Sequence, residues 1–334
     1  MTLVARYAGC ARSHRCHRRP LHAPPREKFV HEALFYDDDG SFLAGTVPFI
    51  RAGLEKDAAV MVAVGADKIA LLQEMLGADA AAVRFVDMAQ MGANPAQIIH
   101  AWETFLSEHA EPGGRPIRGI GEPIWAGRTP DELVECQLHE ALLNVAFDDA
   151  DDFRLLCPYD STALAPGVVR EACCSHPFIA APGAGHSSPE YRGRDAVPPL
   201  AEATLPPPPS SATALSFDAD TLAEVRAVVA DCADWAGLDE SGAGDFVLAV
   251  HELATNSVLH GGRIGVLRAW TEGDAAVCEV RDAGRIADAL VGRYRPRADQ
   301  LGGWGLWIAN QACDLVQVRT GHAGTVVRVR LRAR

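Results

Sequence analysis

One segment of the chain, residues 245–260, combines a helical apolar stripe with polar side chains spaced one turn apart. The apolar face consists of Phe246, Val250, Leu253, Ala254 and Val258. Glu252, Asn256 and His260 share the opposite face because each follows the last by four residues. A carboxylate and an amide at this spacing offer the oxygen ligands that Mg²⁺ prefers when phosphates complete its coordination. A solvated polar face is the alternative interpretation.

A second candidate lies where a predicted strand ends at Asp282, two residues before Gly284. A carboxylate in that position can accept a hydrogen bond from an exocyclic amine such as adenine N6. Gly284 allows the backbone to approach a planar base closely. An ordinary turn after a strand is the alternative, because Asp and Gly are common in turns.

Two further short segments carry glycine next to a predicted element boundary. Gly303 and Gly305 open a helix that continues with Leu306. The free backbone N–H groups and the dipole of a helix start favour phosphate. Thr325 follows a glycine at the start of the last strand, where its hydroxyl can reach the same site. A tight loop and a plain hairpin are the respective alternatives.

The elements that must position these residues form an α+β two-layer sandwich. Strands are predicted at 215–217, 264–270, 275–281, 315–318 and 325–331, and helices at 221–235, 245–260 and after Gly305. Residues 271–274 are predicted to be the turn of a hairpin. The last strand alternates, so its Val and Leu side chains are expected in the core and Arg328, Arg330 and Arg332 in water.

The front half of the chain alternates strand and helix patterns, which predicts an α/β fold with a mainly parallel sheet. Strands are predicted at 33–36, 59–64, 83–87, 117–120 and 153–157, and helices near 41–54, 67–76, 95–109 and 130–146. The run 59–64 is apolar on both faces, as expected of a central strand covered by helices.

The predicted organisation has four parts: a disordered basic extension at 1–28, a domain at 29–176, a linker at 177–212 and a domain at 213–334. The extension has seven Arg or Lys. The alternative interpretation of this segment is a small metal site. The candidate ligands of that site are Cys10, His14, Cys16 and His17. Nine prolines at 177–210 favour an extended, semi-rigid linker.

Composition narrows the classes of function. The net charge of −13 disfavours direct nucleic-acid binding, which needs clustered basic side chains. The sequence has no run of 18 apolar residues and no apolar N-terminal leader, so neither a membrane span nor secretion is expected. Most of the nine cysteines lie in apolar runs, which suits a reducing cytoplasm.

Taken in order, the four candidate segments resemble the GHKL ATPase superfamily over residues 215–331. The run 252–260 is similar to the N box, Asp282-Ala-Gly284 to the first glycine box, Gly303-Trp-Gly305-Leu306 to the second and Gly324-Thr325 to the last. The resemblance implies a Bergerat α/β sandwich that binds ATP and Mg²⁺ between its sheet and a lid. Ile286 departs from the pattern, because the family usually has glycine there.

Within that superfamily the domain looks like the anti-sigma-factor serine kinases. Only 17 residues separate the two glycine boxes, and the proline-rich stretch replaces a helical hairpin with a phosphoacceptor His. The resemblance implies Glu252 as general base and Asn256 as Mg²⁺ ligand. It also implies a STAS-type anti-sigma-factor antagonist and a sigma factor as partners. A non-catalytic binding switch, favoured by Ile286, and a histidine-kinase-type protein remain alternatives, and a homodimer is left open.

Residues 30–175 resemble the MEDS sensory domain. The resemblance rests on His31-Glu-Ala-Leu-Phe-Tyr36, Arg118-Gly-Ile-Gly-Glu-Pro123 and Leu155-Leu-Cys-Pro-Tyr-Asp160. It implies a RecA-related α/β fold that senses a signal, such as a small molecule. Without a Gly-x-x-x-x-Gly-Lys-Ser/Thr motif, no P-loop is expected. Candidate sensing residues are His31, Glu122, Glu140, Cys157 and Tyr159. For Cys157 and Tyr159, core packing is the alternative.

Overall fold

The computed structural model of the protein describes residues 28–109, 114–181, 185–297, 299–300 and 302–334. The predicted basic extension, with Cys10, His14, Cys16 and His17, lies outside these residues apart from Lys28. No helix in the described part of the chain is long and apolar enough to cross a membrane.

The N-terminal domain is built around a seven-stranded sheet with helices on both faces. Its elements are β1 Val30–Tyr36, α1 Asp39–Leu54, β2 Ala59–Val64, α2 Ala66–Leu76, β3 Val83–Asp87, α3 Met88–Met91, α4 Ile98–Glu108, β4 Ile117–Gly121, α5 Pro130–Ala146, β5 Phe153–Asp160, α6 Pro166–Ser175, β6 Phe178–Ile179, β7 His186–Ser187 and α7 Val197–Ala201. The strand order is β3-β2-β4-β5-β1-β6-β7, and every pair except β6–β7 is parallel. The predicted α/β class is therefore confirmed as a mixed fold with a mostly parallel sheet.

Local sequence explains how the helices begin. Asp38 and Ser41 form a reciprocal capping box at α1, and Thr129 and Glu132 do so at α5, where Pro130 occupies the first turn. β2 is buried along its whole length, as its two-sided apolar run predicts. The caps define where the helices start, and α5 packs on the sheet because its Leu138 and Leu142 are buried in the same core as Leu155 of β5.

The proline-rich stretch is only partly extended, which corrects the predicted linker. Its first half adds β6 beside β1 and continues through β7 to α7. Ala196 and Val197 are buried with the core of the N-terminal domain. The apolar side chains among the prolines therefore bind this stretch to the first domain, and residues 203–209 run without regular structure before β8.

The C-terminal domain has a five-stranded antiparallel sheet with three helices packed on one face. Its elements are β8 Thr213–Phe217, α8 Leu222–Ala236, α9 Glu240–His260, β9 Gly265–Glu272, β10 Ala275–Asp282, α10 Trp304–Ala312, β11 Leu315–Gly321 and β12 Gly324–Arg332. The strand order is β11-β12-β10-β9-β8. The β9–β10 turn is shorter than predicted, because β9 continues to Glu272 and only Gly273 and Asp274 join the two strands.

The second face of this sheet is partly covered: Arg328 is buried and Arg330 mostly so, contrary to the prediction that they lie in water, whereas Arg332 is exposed as predicted. Arg328 is buried, pairs with Glu279 at 2.7 Å and donates to the carbonyl of Pro206. Arg330 and Arg332 approach the acidic first turn of α5 in the N-terminal domain. The β12 pattern shows which side chains face the domain's own helices, but it carries no sign of a second layer supplied by the rest of the chain.

Candidate functional site

The helix α9 carries the first group of predicted site residues. Asp239 caps it, because its side chain accepts a hydrogen bond from the backbone N–H of Gly242. The helix packs on α10 where Asn256 meets Gly305. A β-carbon at Gly305 would overlap the Asn256 amide nitrogen and lie 3.3 Å from the Glu252 carbonyl oxygen. Only glycine allows this approach of the two helices.

Asp282 is held in one orientation at the end of β10. Its carboxylate accepts hydrogen bonds from the Ser257 hydroxyl at 2.6 Å and from the backbone N–H of Gly284 at 2.7 Å. A β-carbon at Gly261 would overlap this carboxylate, so the end of α9 also packs directly against it. Sequence reasoning did not select Ser257 or Gly261. Their signal was available, since both lie within five residues of Asn256 on the same segment.

Thr325 connects the last strand to the chain that follows Asp282. Its hydroxyl donates to the carbonyl of Gly284 at 2.9 Å and lies 3.0 Å from the hydroxyl of Thr320. Thr320 accepts a hydrogen bond from the backbone N–H of Ile286 at 3.0 Å. The backbone at 284–286 is thus fixed by two threonines from neighbouring strands.

Ile286 fits its position without the conformation that only glycine adopts readily. Among described non-glycine residues, positive φ occurs at Asp57, Asp152 and Arg263, and not at Ile286. Its side chain packs against the core of the C-terminal domain. The departure from the glycine box therefore replaces a flexible residue with an apolar contact.

The start of α10 offers a helix N-terminus. Gly303 adopts φ of 91°, a left-handed conformation suited to glycine, and no side chain of the described residues caps the first turn. The orphan N–H groups of that turn are free for a ligand. Gly303 and Leu306 both face the same cavity as Asn256 and Asp282.

These segments surround one cavity of about 290 Å³. Six predicted site residues line it: Asn256, Asp282, Gly284, Gly303, Leu306 and Thr325. Apolar side chains complete the wall, namely Leu253, Val280, Ile286, Val291 and Val327. Gly305 lies behind Asn256. Glu252 is half-buried one turn before Asn256, and its side chain is not part of the cavity wall. A polar anchor in an apolar wall beside uncapped N–H groups fits a planar base attached to phosphates.

The segment between Gly284 and Gly303, called the lid segment below, also faces the N-terminal domain. Residues 285–288 and Val291 line both the cavity just described and a second cavity of about 530 Å³. The far wall of the second cavity includes Leu138 and Leu142 of α5 and Val197 of α7. One stretch of chain therefore separates the two cavities.

Two sets of polar contacts fix the domains to each other around the lid segment. Asn94 and Gln97 donate to the backbone carbonyl of Asn310 in α10 at 3.1 and 2.6 Å. Glu135 of α5 accepts a hydrogen bond from Arg319 of β11 at 2.6 Å, with both side chains buried. Burial raises the pKa of Glu135, and Arg319 opposes that shift.

The candidate sensing residues fall into two groups. His31, Glu140 and Cys157 meet in the core, and the ring of Tyr159 packs edge-on against His176 beside them. Glu122 lies elsewhere, at the carboxyl end of β4, where it accepts a hydrogen bond from Tyr36 at 2.6 Å and contacts Lys68. Burial raises the pKa of Glu122, and Lys68 acts against it.

Comparisons with known proteins agree with this division of the chain. Residues 30–177 match the family described as MEDS, the methanogen/methylotroph, DcmR sensory domain, and residues 215–331 match the histidine kinase-like ATPase domain. The chain therefore contains a MEDS domain at residues 30–177, followed by a histidine kinase-like ATPase domain at residues 215–331.

One solved structure with some similarity contains the RsbU and RsbW domains of Rv1364c from Mycobacterium tuberculosis. The identity is 23%, the TM-score is 0.28, and the match covers 37% of this chain and 33% of the other. The match thus spans about a third of that structure. No curated protein matches the sequence.

Proposed function

We propose that the C-terminal domain binds ATP with Mg²⁺ and phosphorylates a serine or threonine on a STAS-type anti-sigma-factor antagonist. In the same proposal the domain sequesters a sigma factor under control of the MEDS domain, and the protein acts in the cytoplasm. The observation that carries the proposal is the meeting of four separate sequence segments around one cavity. Each segment contributes a residue type that suits a different part of a nucleotide.

The roles follow from position. Asp282, held by Ser257 and Gly284, would accept a hydrogen bond from the adenine amine. The backbone N–H groups after Gly303 would donate hydrogen bonds to phosphate oxygens, and Leu306 and Thr325 would complete the wall of the site. Asn256, packed on Gly305, would supply an oxygen ligand to Mg²⁺. Bound Mg²⁺ would neutralise phosphate charge during transfer.

Glu252 is proposed as the general base. It lies one turn before Asn256 on the same face of α9 and is half-buried, so its carboxylate remains accessible to a partner's hydroxyl group. This carboxylate would accept the proton as the hydroxyl attacks the terminal phosphate. A base outside the nucleotide cavity suits a protein substrate, which must approach from solvent.

A nucleotide titration with and without Mg²⁺ tests the binding step. Asn256→Ala is expected to abolish the Mg²⁺-dependent part of ATP affinity. Thr255→Ala is the matched control, because Thr255 is the half-buried neighbour on α9 and does not line the cavity. ATP affinity that is equal in wild type and Asn256→Ala would remove the site from the proposal.

A pure binding switch is the second candidate, and Ile286, which stands where the ATPase pattern has glycine, favours it. Radiolabel transfer from ATP to a cognate antagonist separates the two. A kinase labels serine or threonine, and Glu252→Gln reduces the label while leaving ATP affinity intact. A binder transfers nothing, and acid-labile phosphate on a partner His or Asp would instead identify a histidine-kinase-type activity.

The MEDS domain is proposed to control the site through the lid segment. Supporting this, residues 285–288 face the nucleotide cavity on one side and the interdomain cavity on the other. The Glu135–Arg319 pair joins α5 to β11, next to Thr320, which holds the backbone of Ile286. A change in the position of α5 would therefore reach the lid segment through packed contacts.

A further inference from the structure

Four side chains with metal-binding donor atoms converge inside the MEDS domain. They are His31 on β1, Glu140 on α5, Cys157 on β5 and His176 directly after α6. All four are almost completely buried, with at most 1% of each residue exposed. Their donor atoms all lie within 4.8 Å of one another. The nucleotide cavity lies in the other domain, so this cluster has no part in the site proposed above.

The distances within the cluster match those around a small tetrahedral ion. The Nε2 atom of His31 lies 3.3 Å from the Cys157 sulfur and 3.2 Å from a Glu140 oxygen. The Nε2 atom of His176 lies 3.3 Å from the same oxygen. Zinc bonds of about 2.0–2.3 Å at tetrahedral angles place ligand atoms about 3.3–3.6 Å apart. These three separations, within a cluster no wider than 4.8 Å, are compatible with ligands of a single Zn²⁺ ion.

Hydrogen bonds on the far side of each imidazole fix where the lone pairs point. Nδ1 of His176 lies 2.8 Å from the carbonyl of Ala172, an acceptor, so Nδ1 carries the hydrogen. Nδ1 of His31 lies 3.2 Å from the Asn144 oxygen, and the amide nitrogen of Asn144 donates to Ser175. Both Nε2 atoms consequently direct lone pairs inward, which is the arrangement found around metal-bound histidines.

The interior of the cluster is electrostatically incomplete without a cation. Among the described residues, the two oxygens of Glu140 and the Nε2 atom of His176 make no geometrically acceptable hydrogen bond, although both imidazoles lie within 3.3 Å of the carboxylate. Neutral imidazoles that direct lone pairs at the carboxylate do not compensate its charge, and an uncompensated buried charge costs several kcal/mol. A divalent cation bound to Glu140 and a Cys157 thiolate gives zero net charge and takes up the lone pairs of both Nε2 atoms.

We propose that His31, Glu140, Cys157 and His176 form a closed structural Zn²⁺ site in the MEDS domain. The nitrogen and sulfur donors select a borderline-soft metal over Mg²⁺ or Ca²⁺. Four protein ligands complete a tetrahedron, so the ion joins two strands, α5 and the chain after α6 without an open position for chemistry. Because α5 also carries Glu135, the metal fixes the helix that contacts the ATPase domain.

Metal analysis of the full-length protein tests the proposal. We expect about one zinc per chain, retained through dialysis and released only by strong chelators or unfolding. Cobalt reconstitution of chelated protein is expected to give the visible bands of tetrahedral Co²⁺ and a thiolate charge-transfer band. That spectrum in wild type reports a Cys ligand even if a ligand variant fails to fold.

Three variants assign the site. Cys157→Ser is expected to lose the charge-transfer band and most of the zinc. Cys136→Ser is the matched control, because Cys136 is buried on α5 and its thiol donates to the carbonyl of Pro123. A Cys10→Ser, Cys16→Ser double variant tests the N-terminal extension and is expected to keep the metal.

Two results would overturn the proposal. Folded wild-type protein that contains no zinc and gives no tetrahedral cobalt spectrum would show that the cluster is only a polar network. Loss of the metal in the N-terminal double variant, with retention in Cys157→Ser, would move the site out of the MEDS domain.

Discussion

Gly305→Ala is the substitution that tests the nucleotide site most directly. A methyl group at this position would overlap the Asn256 amide nitrogen and lie 3.2 Å from its Cγ atom. Ordinary carbon contacts are about 3.5–4.0 Å, so the Asn256 amide must move by about 1 Å. Alanine itself is compatible with α10, since Gly305 has no positive φ and alanine favours helices by up to about 1 kcal/mol.

The expected result is weaker nucleotide binding in a folded protein. Displacing one ligand of a charged group costs about 1.5–3 kcal/mol, which corresponds to about a 10- to 100-fold rise in the Kd for ATP with Mg²⁺. Isothermal titration or a fluorescent nucleotide measures this change, and circular dichroism reports the Tm.

Gly244→Ala is the control for this test. Gly244 lies in the same α9 helix as Asn256, and a β-carbon there meets open space. We expect unchanged ATP affinity and a small gain in the free energy of unfolding. If Gly305→Ala binds ATP as tightly as wild type, the contact between α9 and α10 does not define the site.

Three further outcomes follow from single contacts. Ser257→Ala removes a 2.6 Å hydrogen bond to Asp282 and is expected to raise the Kd for ATP about 3- to 10-fold, measured in the same titration. Glu135→Gln leaves Arg319 buried without its anion, so the free energy of unfolding is expected to fall by about 3 kcal/mol. The change is measured as a lower Tm and faster proteolysis between the domains, and a wild-type profile would refute it. Burial raises the pKa of Glu122, so the folded state binds this proton at higher pH than the unfolded state does. The stability that the bound proton contributes is therefore complete below the unfolded pKa of 4.5 and is lost as pH rises through the folded pKa. Glu122→Gln should flatten this part of the pH dependence in chemical denaturation between pH 4 and 7.

The sequence predicted the elements whose pattern is set by their own domain. β2, β3 and α5 have the predicted bounds, because the local apolar pattern determines where these elements run. The four segments that meet at the cavity of the C-terminal domain were recognisable for the same reason. Each couples a short polar or glycine motif to the boundary of a regular element.

Features that depend on contact between distant segments were not predicted. Val197 belongs to a stretch rich in proline, yet it is buried because the first domain offers an apolar surface. Arg328 alternates like a solvent-facing residue, and only a partner from the rest of the chain explains its burial. His176 follows a helix, α6, that the sequence reading did not identify, so its place beside His31 could not be foreseen.

The lid segment lines both the nucleotide cavity and the interdomain cavity. Thermodynamic linkage requires that any coupling between ligands in the two cavities be reciprocal. If occupancy of the interdomain cavity changes ATP affinity by some factor, then ATP must change affinity for that cavity's occupant by the same factor. Nucleotide level in the cell would thereby tune the sensitivity of the input domain. The protein would report the energy state of its surroundings together with the signal it detects.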